Sequence, residues 1–143
     1  MIRRLAFFAV AGVVLSGCGS ISSTQAMTSW VKQSDYVQNA RTTLNDARHA
    51  ATALRDPSST HVLLNTVCSV LFIDAGSLQA TLPTPDDQST NLLGKAVKSL
   101  GNAATECSRA RTAAQRVRSL GTLASGGAQL SEATARITSQ MVP

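Results

Sequence analysis

Residues 84–120 read TPDDQSTNLLGKAVKSLGNAATECSRARTAAQRVRSL, and they decide the fold. Leu93, Ala96, Leu100, Ala103, Cys107, Ala110, Ala114 and Val117 recur at alternating spacings of three and four, the signature of one helix face. The front of the stretch carries start signals: the Thr84 hydroxyl as a cap, Pro85 as the first helical residue, and Asp86 and Asp87 where acids suit the helix dipole. Its end is crowded by Arg109, Arg111, Arg116 and Arg118, where cations suit the opposite pole. The spacing predicts one helix from about Pro85 to Leu120. A stripe this regular packs in a bundle at shallow crossing angles.

Working outward, Ser59 to Leu78 predicts a second long helix. Val62, Leu63, Leu64, Val67, Cys68, Val70, Leu71, Phe72 and Ile73 make it apolar around most of its circumference, so it is expected to be the most buried element. The β-branched run Val67 to Ile73 also fits a strand, but no partner strand is legible elsewhere. Earlier still, Trp30, Val37, Leu44 and Ala51 recur every seven residues, with Ala40, Ala47 and Leu54 between them. One helix from Thr28 or Ser29 to Arg55 follows, stopped by Asp56-Pro57. After Gly121 and Gly126-Gly127, read as breaks, Leu130, Ala133, Ile137 and Met141 mark a weaker last helix. The expected fold is all-α: an antiparallel bundle of about four helices joined by short loops, over residues 29–143.

The amino-terminal segment reads differently. Arg3 and Arg4 precede an uncharged apolar run, Leu5 to Leu15, followed by Ser16-Gly17-Cys18. This is the layout of an export signal, and its apolar part is far shorter than the roughly 20 residues of a membrane span. The tetrad Leu15-Ser16-Gly17-Cys18 resembles the lipobox of bacterial lipoproteins. The resemblance implies cleavage after residue 17, a diacylglyceryl group on the Cys18 thiol, and a protein held at the extracytoplasmic face of the cell membrane. Each buried methylene contributes about 0.8 kcal/mol, so two or three chains hold a small domain firmly. An ordinary signal peptide cut near Gly19 or Ser20 is the alternative. Residues 18–28, Ser/Thr-rich and aperiodic, are then a lipidated cysteine and flexible tether.

Removal of Arg3 and Arg4 with the signal lowers the formal charge from +5 to +3. That mild basicity in an exported chain argues against a nucleic-acid partner, and one Trp, one Tyr and three Phe offer few stacking platforms. Cys68 and Cys107 remain as an even pair in an oxidising compartment, which reads as a disulfide. A tight helical hairpin about Pro83 would set Cys68 level with about Ser99, roughly 12 Å short of Cys107. The bond therefore requires the segment 76–84 to unwind along the next helix, or a marked axial offset.

Constellations for catalysis are not legible. His49 and His61 straddle the Pro57 turn without a third ligand of obvious spacing, so no metal or other cofactor is expected. The eight acids are dispersed, and GxSxG elbows and Gly-rich phosphate loops are missing. Asp74, following the apolar run, is expected at the solvent. Arg109, Arg111, Arg116 and Arg118 form the candidate contact surface, with a solvated helix end as the plainer explanation.

Leu82-Pro83-Thr84-Pro85-Asp86, followed by Ala103-Ala104-Thr105-Glu106-Cys107, resembles small helical lipoproteins of high-GC Gram-positive bacteria. The resemblance implies an envelope location and no activity. The expected function is a membrane-anchored, non-catalytic interaction module whose partner is a protein or envelope component. A bundle that sequesters a lipid or small molecule is one alternative, and a phage-derived exclusion lipoprotein is another.

Overall fold

The computed structural model describes residues 22–142; Cys18, its lipobox and the signal segment lie outside them. The described residues form five α-helices and no strand: α1 Ser23–Gln33, α2 Tyr36–Arg55, α3 His61–Gln79, α4 Asp87–Arg109 and α5 Ala113–Ser139. Each of α2 to α5 packs on the next, and α5 closes back on α2, giving an antiparallel four-helix bundle as expected. α1 lies across one end. Its Met27 and Val31 are buried, and the Trp30 Nε1–H donates to the Thr81 carbonyl beyond the end of α3 at 3.0 Å.

The core is built largely from alanines and leucines, with Leu64, Leu71, Leu93, Leu100, Leu130 and Ile137 fully buried. Tyr36 is the largest buried side chain. Its hydroxyl meets the Thr134 hydroxyl at 2.9 Å, which satisfies the polar end of an otherwise apolar anchor. Burial nevertheless pushes the Tyr36 phenol above its usual titration range, because the Thr134 contact only partly offsets desolvation.

Several boundaries differ from the sequence expectation. The Ser/Thr-rich segment is not a tether from Ser23 onward. Ser22 and Gln25 form a capping box that starts α1 there. The expected helix 28–55 is broken at Asp35, whose φ of 48° is left-handed. That residue turns the chain, so Tyr36 enters the core while Val37, counted in the expected stripe, stays 52% exposed. Ser34 prepares the break by donating its hydroxyl to the Trp30 carbonyl, a local bond that competes with helix continuation.

The long helix 85–120 is likewise two helices. Ala110 is extended, and Thr112 with Gln115 makes a second capping box at the head of α5. α5 then runs unbroken through Gly121, Gly126 and Gly127. The start of α4 also shifts: Asp86 is the cap, accepting from the Ser89 amide, while the Thr84 hydroxyl donates to the Asp86 carbonyl. Arg136 Nε adds an ion pair to Asp86 at 3.2 Å, tying the head of α4 to the tail of α5. The hydrogen bonds from Ser89, above all, hold the Asp86 carboxyl well below the usual carboxylate range.

Cys68 and Cys107 form a disulfide, with Cα atoms 5.9 Å apart. The 12 Å mismatch is resolved by the connection. Residues 80–86 leave the end of α3 and run on before α4 begins, so α4 overhangs α3 at that end. Trp30 and Met27 of α1 occupy the step so created, beside Thr81 and Asp86.

Candidate interaction surface

The four arginines do not form one surface. Arg116 donates from both terminal nitrogens to the α2–α3 connection, to the Asp56 carbonyl at 2.7 Å and the Ser59 carbonyl at 2.9 Å. Arg111 turns back to the Ser108 carbonyl at 3.1 Å. Only Arg109 and Arg118 share an open groove, of about 220 Å³, with Thr105, Glu106, Gln115 and Ser119. Arg116 is thus a structural tie. Arg116→Ala is expected to cost about 1–3 kcal/mol, since two charge-assisted bonds disappear. Arg118→Ala is expected to change stability by less than about 0.5 kcal/mol. Urea denaturation of both variants checks the contrast.

The histidines are also separated by their partners. His61 Nε2–H donates to the Ser108 carbonyl at 3.2 Å, and His49 Nδ1 lies 3.6 Å from Asp46. Among the described residues no three His, Cys, Asp or Glu side chains are close enough to hold a metal ion.

The most distinctive surface is on α3, and here the expectation of maximal burial is corrected. Leu64, Cys68, Leu71, Ala75 and Leu78 face the core. The opposite face leaves Val62, Leu63, Val70, Phe72 and Ile73 exposed, with Val62 at 73%, Ile73 at 64% and Phe72 at 56%. Asn65, Thr66, Ser69, Gly76 and Ser77 share this outer face, and no charged side chain interrupts it between His61 and Asp74. α3 has the length and apolar content of a membrane span, yet in this fold it is a corner of the bundle, packed on α2 and α4. The small polar residues interleaved with the apolar ones carried the signal. At 100° per residue Thr66, Ser69 and Ser77 fall on the side opposite Leu64 and Leu71.

Charge flanks this face unevenly. On the α4 side, Phe72 shares a groove with Lys98, and Phe72 and Ile73 share another with Arg109. On the α2 side stand Asp46 and Asp74. A carboxyl–carboxyl hydrogen bond to Asp46, then partial burial and the Asp46 charge, push Asp74 up from 3.8 to about 6. Asp74 is therefore half-buried beside another acid rather than freely solvated.

The sign of the linkage is fixed by that shift. Between about pH 4 and pH 6 the folded chain holds a proton that the unfolded chain has lost, so stability falls as pH rises through this window. Asp74→Asn is expected to flatten that slope and to raise stability at pH 7 by on the order of 1 kcal/mol, discounted for solvent screening. Denaturant midpoints of both proteins from pH 4 to 7.5 check it.

One further cleft lies between α2 and α5. It has a volume of about 460 Å³, an apolar floor of Leu44, Leu120 and Leu123, and Arg48 and Arg55 at its rim.

A small helical bundle with a short helix packed at one end and one uncharged apolar flank is the class that the fold and surface define. Comparisons with protein-family models, curated proteins and solved structures found no significant match to this chain.

Proposed function

We propose that the protein is a membrane-anchored lipoprotein of the cell envelope that acts as a non-catalytic interaction module, through α3 rather than through the arginines. The observation that carries this reading is the outward face of α3, where five large apolar side chains meet solvent without an intervening charge. Apolar patches of a few hundred Å² on a protein surface are often functional. The anchor rests on Leu15-Ser16-Gly17-Cys18 and its flanks. The non-catalytic part of the reading is supported by the separate engagement of the two histidines.

Two measurements test the proposal. Intact-mass analysis of the membrane-extracted protein is expected to show acyl chains on an amino-terminal Cys18; an unmodified or missing Cys18 sinks the anchor. Affinity capture from membranes is then expected to yield a complex that Ile73→Glu removes and that Arg118→Glu does not. Capture unaffected by Ile73→Glu would sink the α3 surface.

The α2–α5 cleft supports a second reading, sequestration of an anionic amphiphile with its chain over Leu44 and Leu123 and its head at Arg48 and Arg55. Thermal stabilisation by a long-chain fatty acid, lost in Arg48→Glu/Arg55→Glu, would favour it over the first.

A further inference from the structure

We infer that the partner of the α3 face is a second copy of this chain, packed α3 against α3 in parallel about a two-fold axis that runs along the helix. The inference rests on α3 being an interaction surface and on Cys18 being the anchor point. Three observations converge on it.

The first is size. The exposed portions of Val62, Leu63, Val70, Phe72 and Ile73 amount to roughly 500 Å² of apolar surface, at the upper end for a monomer. A stable pair buries about 800 Å² per partner around an apolar core with a polar rim. The α3 face supplies that core, and its flanks on α2 and α4 supply the rim.

The second is charge. Lys98 and Arg109 lie on one side of the face, Asp46 and Asp74 on the other. A two-fold along α3 sets the cationic flank of each copy opposite the acidic flank of its partner. A two-fold across α3 makes the helices antiparallel and sets each flank against its own kind, which is repulsive.

The third is the tether. The first turn of α1 lies against Pro85, Asp86, Gln140 and Val142, at the end of the bundle where α4 starts and α5 finishes. Ser22 is four positions beyond Cys18, a reach of at most about 14 Å. Anchoring therefore fixes that end towards the bilayer, and the α3 face becomes a lateral surface. Parallel packing keeps both amino-terminal ends on one membrane. Antiparallel packing would carry one of them to the far end of α3, about 28 Å away.

Symmetry makes the test specific. In the parallel pair each residue of the outer stripe meets its own counterpart, so Val62→Cys and Ser77→Cys should each cross-link to itself when membranes holding the full chain are oxidised. The two positions are 15 apart, about 22 Å of helix. An antiparallel pair would instead give only the mixed product when both single variants are present together. The expected result is strong self-linked dimer for each, reduced at least five-fold by adding Ile73→Glu. Because Ile73 is exposed, that substitution should leave the helical content measured by circular dichroism unchanged, which separates lost contact from lost fold. No dimer, only the mixed product, linkage insensitive to Ile73→Glu, or linkage to a different chain would each overturn the inference. Acyl mass on Cys18, measured on the same samples, keeps the two questions apart. An acylated chain that never self-links removes the pairing but not the anchor, and an unacylated chain that does so removes the anchor.

Discussion

Replacing Cys68 and Cys107 by alanine together is expected to cost at least about 4 kcal/mol of stability. The two positions are 39 apart, and closing a loop of that length removes about 13 cal/mol/K from the unfolded chain. Both sulfurs are fully buried between α3 and α4, so packing loss adds to the entropic effect rather than offsetting it. For a chain of this size the change corresponds to a fall in Tm of roughly 10–20 °C. Calorimetry with and without reductant checks it. Reductant should lower the wild-type transition by a similar amount and leave the double variant unmoved. A loss below about 1 kcal/mol would mean that helix packing alone holds this hairpin.

The second large effect is expected at Gly126, and it separates glycines that look alike in sequence. A Cβ on Gly126 would stand 3.0 Å from Leu100 Cγ and Cδ2 and 3.2 Å from the Leu100 amide nitrogen. Leu100 is fully buried and its nitrogen belongs to α4, so the whole helix has to move to make room. Gly126→Val adds two further methyl groups to the same contact and is expected to lose about 3 kcal/mol. Gly121 and Gly127 have nothing within 4 Å of such a Cβ. Alanine at either position is expected to add about 0.5–1 kcal/mol, because glycine in a helix interior is poorly suited to helix. Thermal melts of the three variants, with opposite signs at neighbouring positions 126 and 127, would establish the close α4–α5 approach.

The same glycines show why the sequence was only partly legible. The period of the stripe from Leu93 to Cys107 was enough for fold class, since burial of Leu93, Ala96, Leu100 and Ala103 follows from periodicity alone. It could not show where the stripe ceased to matter. Ala114 and Val117 continue the spacing, yet Val117 is 69% exposed, because the chain reverses at Ala110. The signal that was present, and outweighed, is Thr112 with Gln115 three residues later, the pattern of a capping box. Conversely, Gly126-Gly127 suggested a break, and a close helix contact explains the first of the pair instead. At Asp35 a single left-handed residue reset the face of α2. That conformation is uncommon outside glycine, and no periodicity reports it.

Four arginines close in sequence looked like one cationic surface, but side-chain reach distributed them among separate carbonyls and a groove. The α3 face was hidden by its own hydrophobicity. Composition registered the apolar residues without registering that five of them remain exposed to solvent. Polarity of the intervening Thr66, Ser69 and Ser77 was the available clue.

The order in which the helices pack has a kinetic consequence. α2 meets α3, α3 meets α4 and α4 meets α5, so most contacts join neighbours in sequence, and the closure of α5 on α2 is the main distant one. Chains with such local wiring assemble in microseconds to milliseconds, whereas thiol oxidation takes seconds or longer. Cys68 and Cys107 are therefore brought face to face by a hairpin already formed. The covalent bond arrives last, as a latch on a finished structure rather than a guide to it.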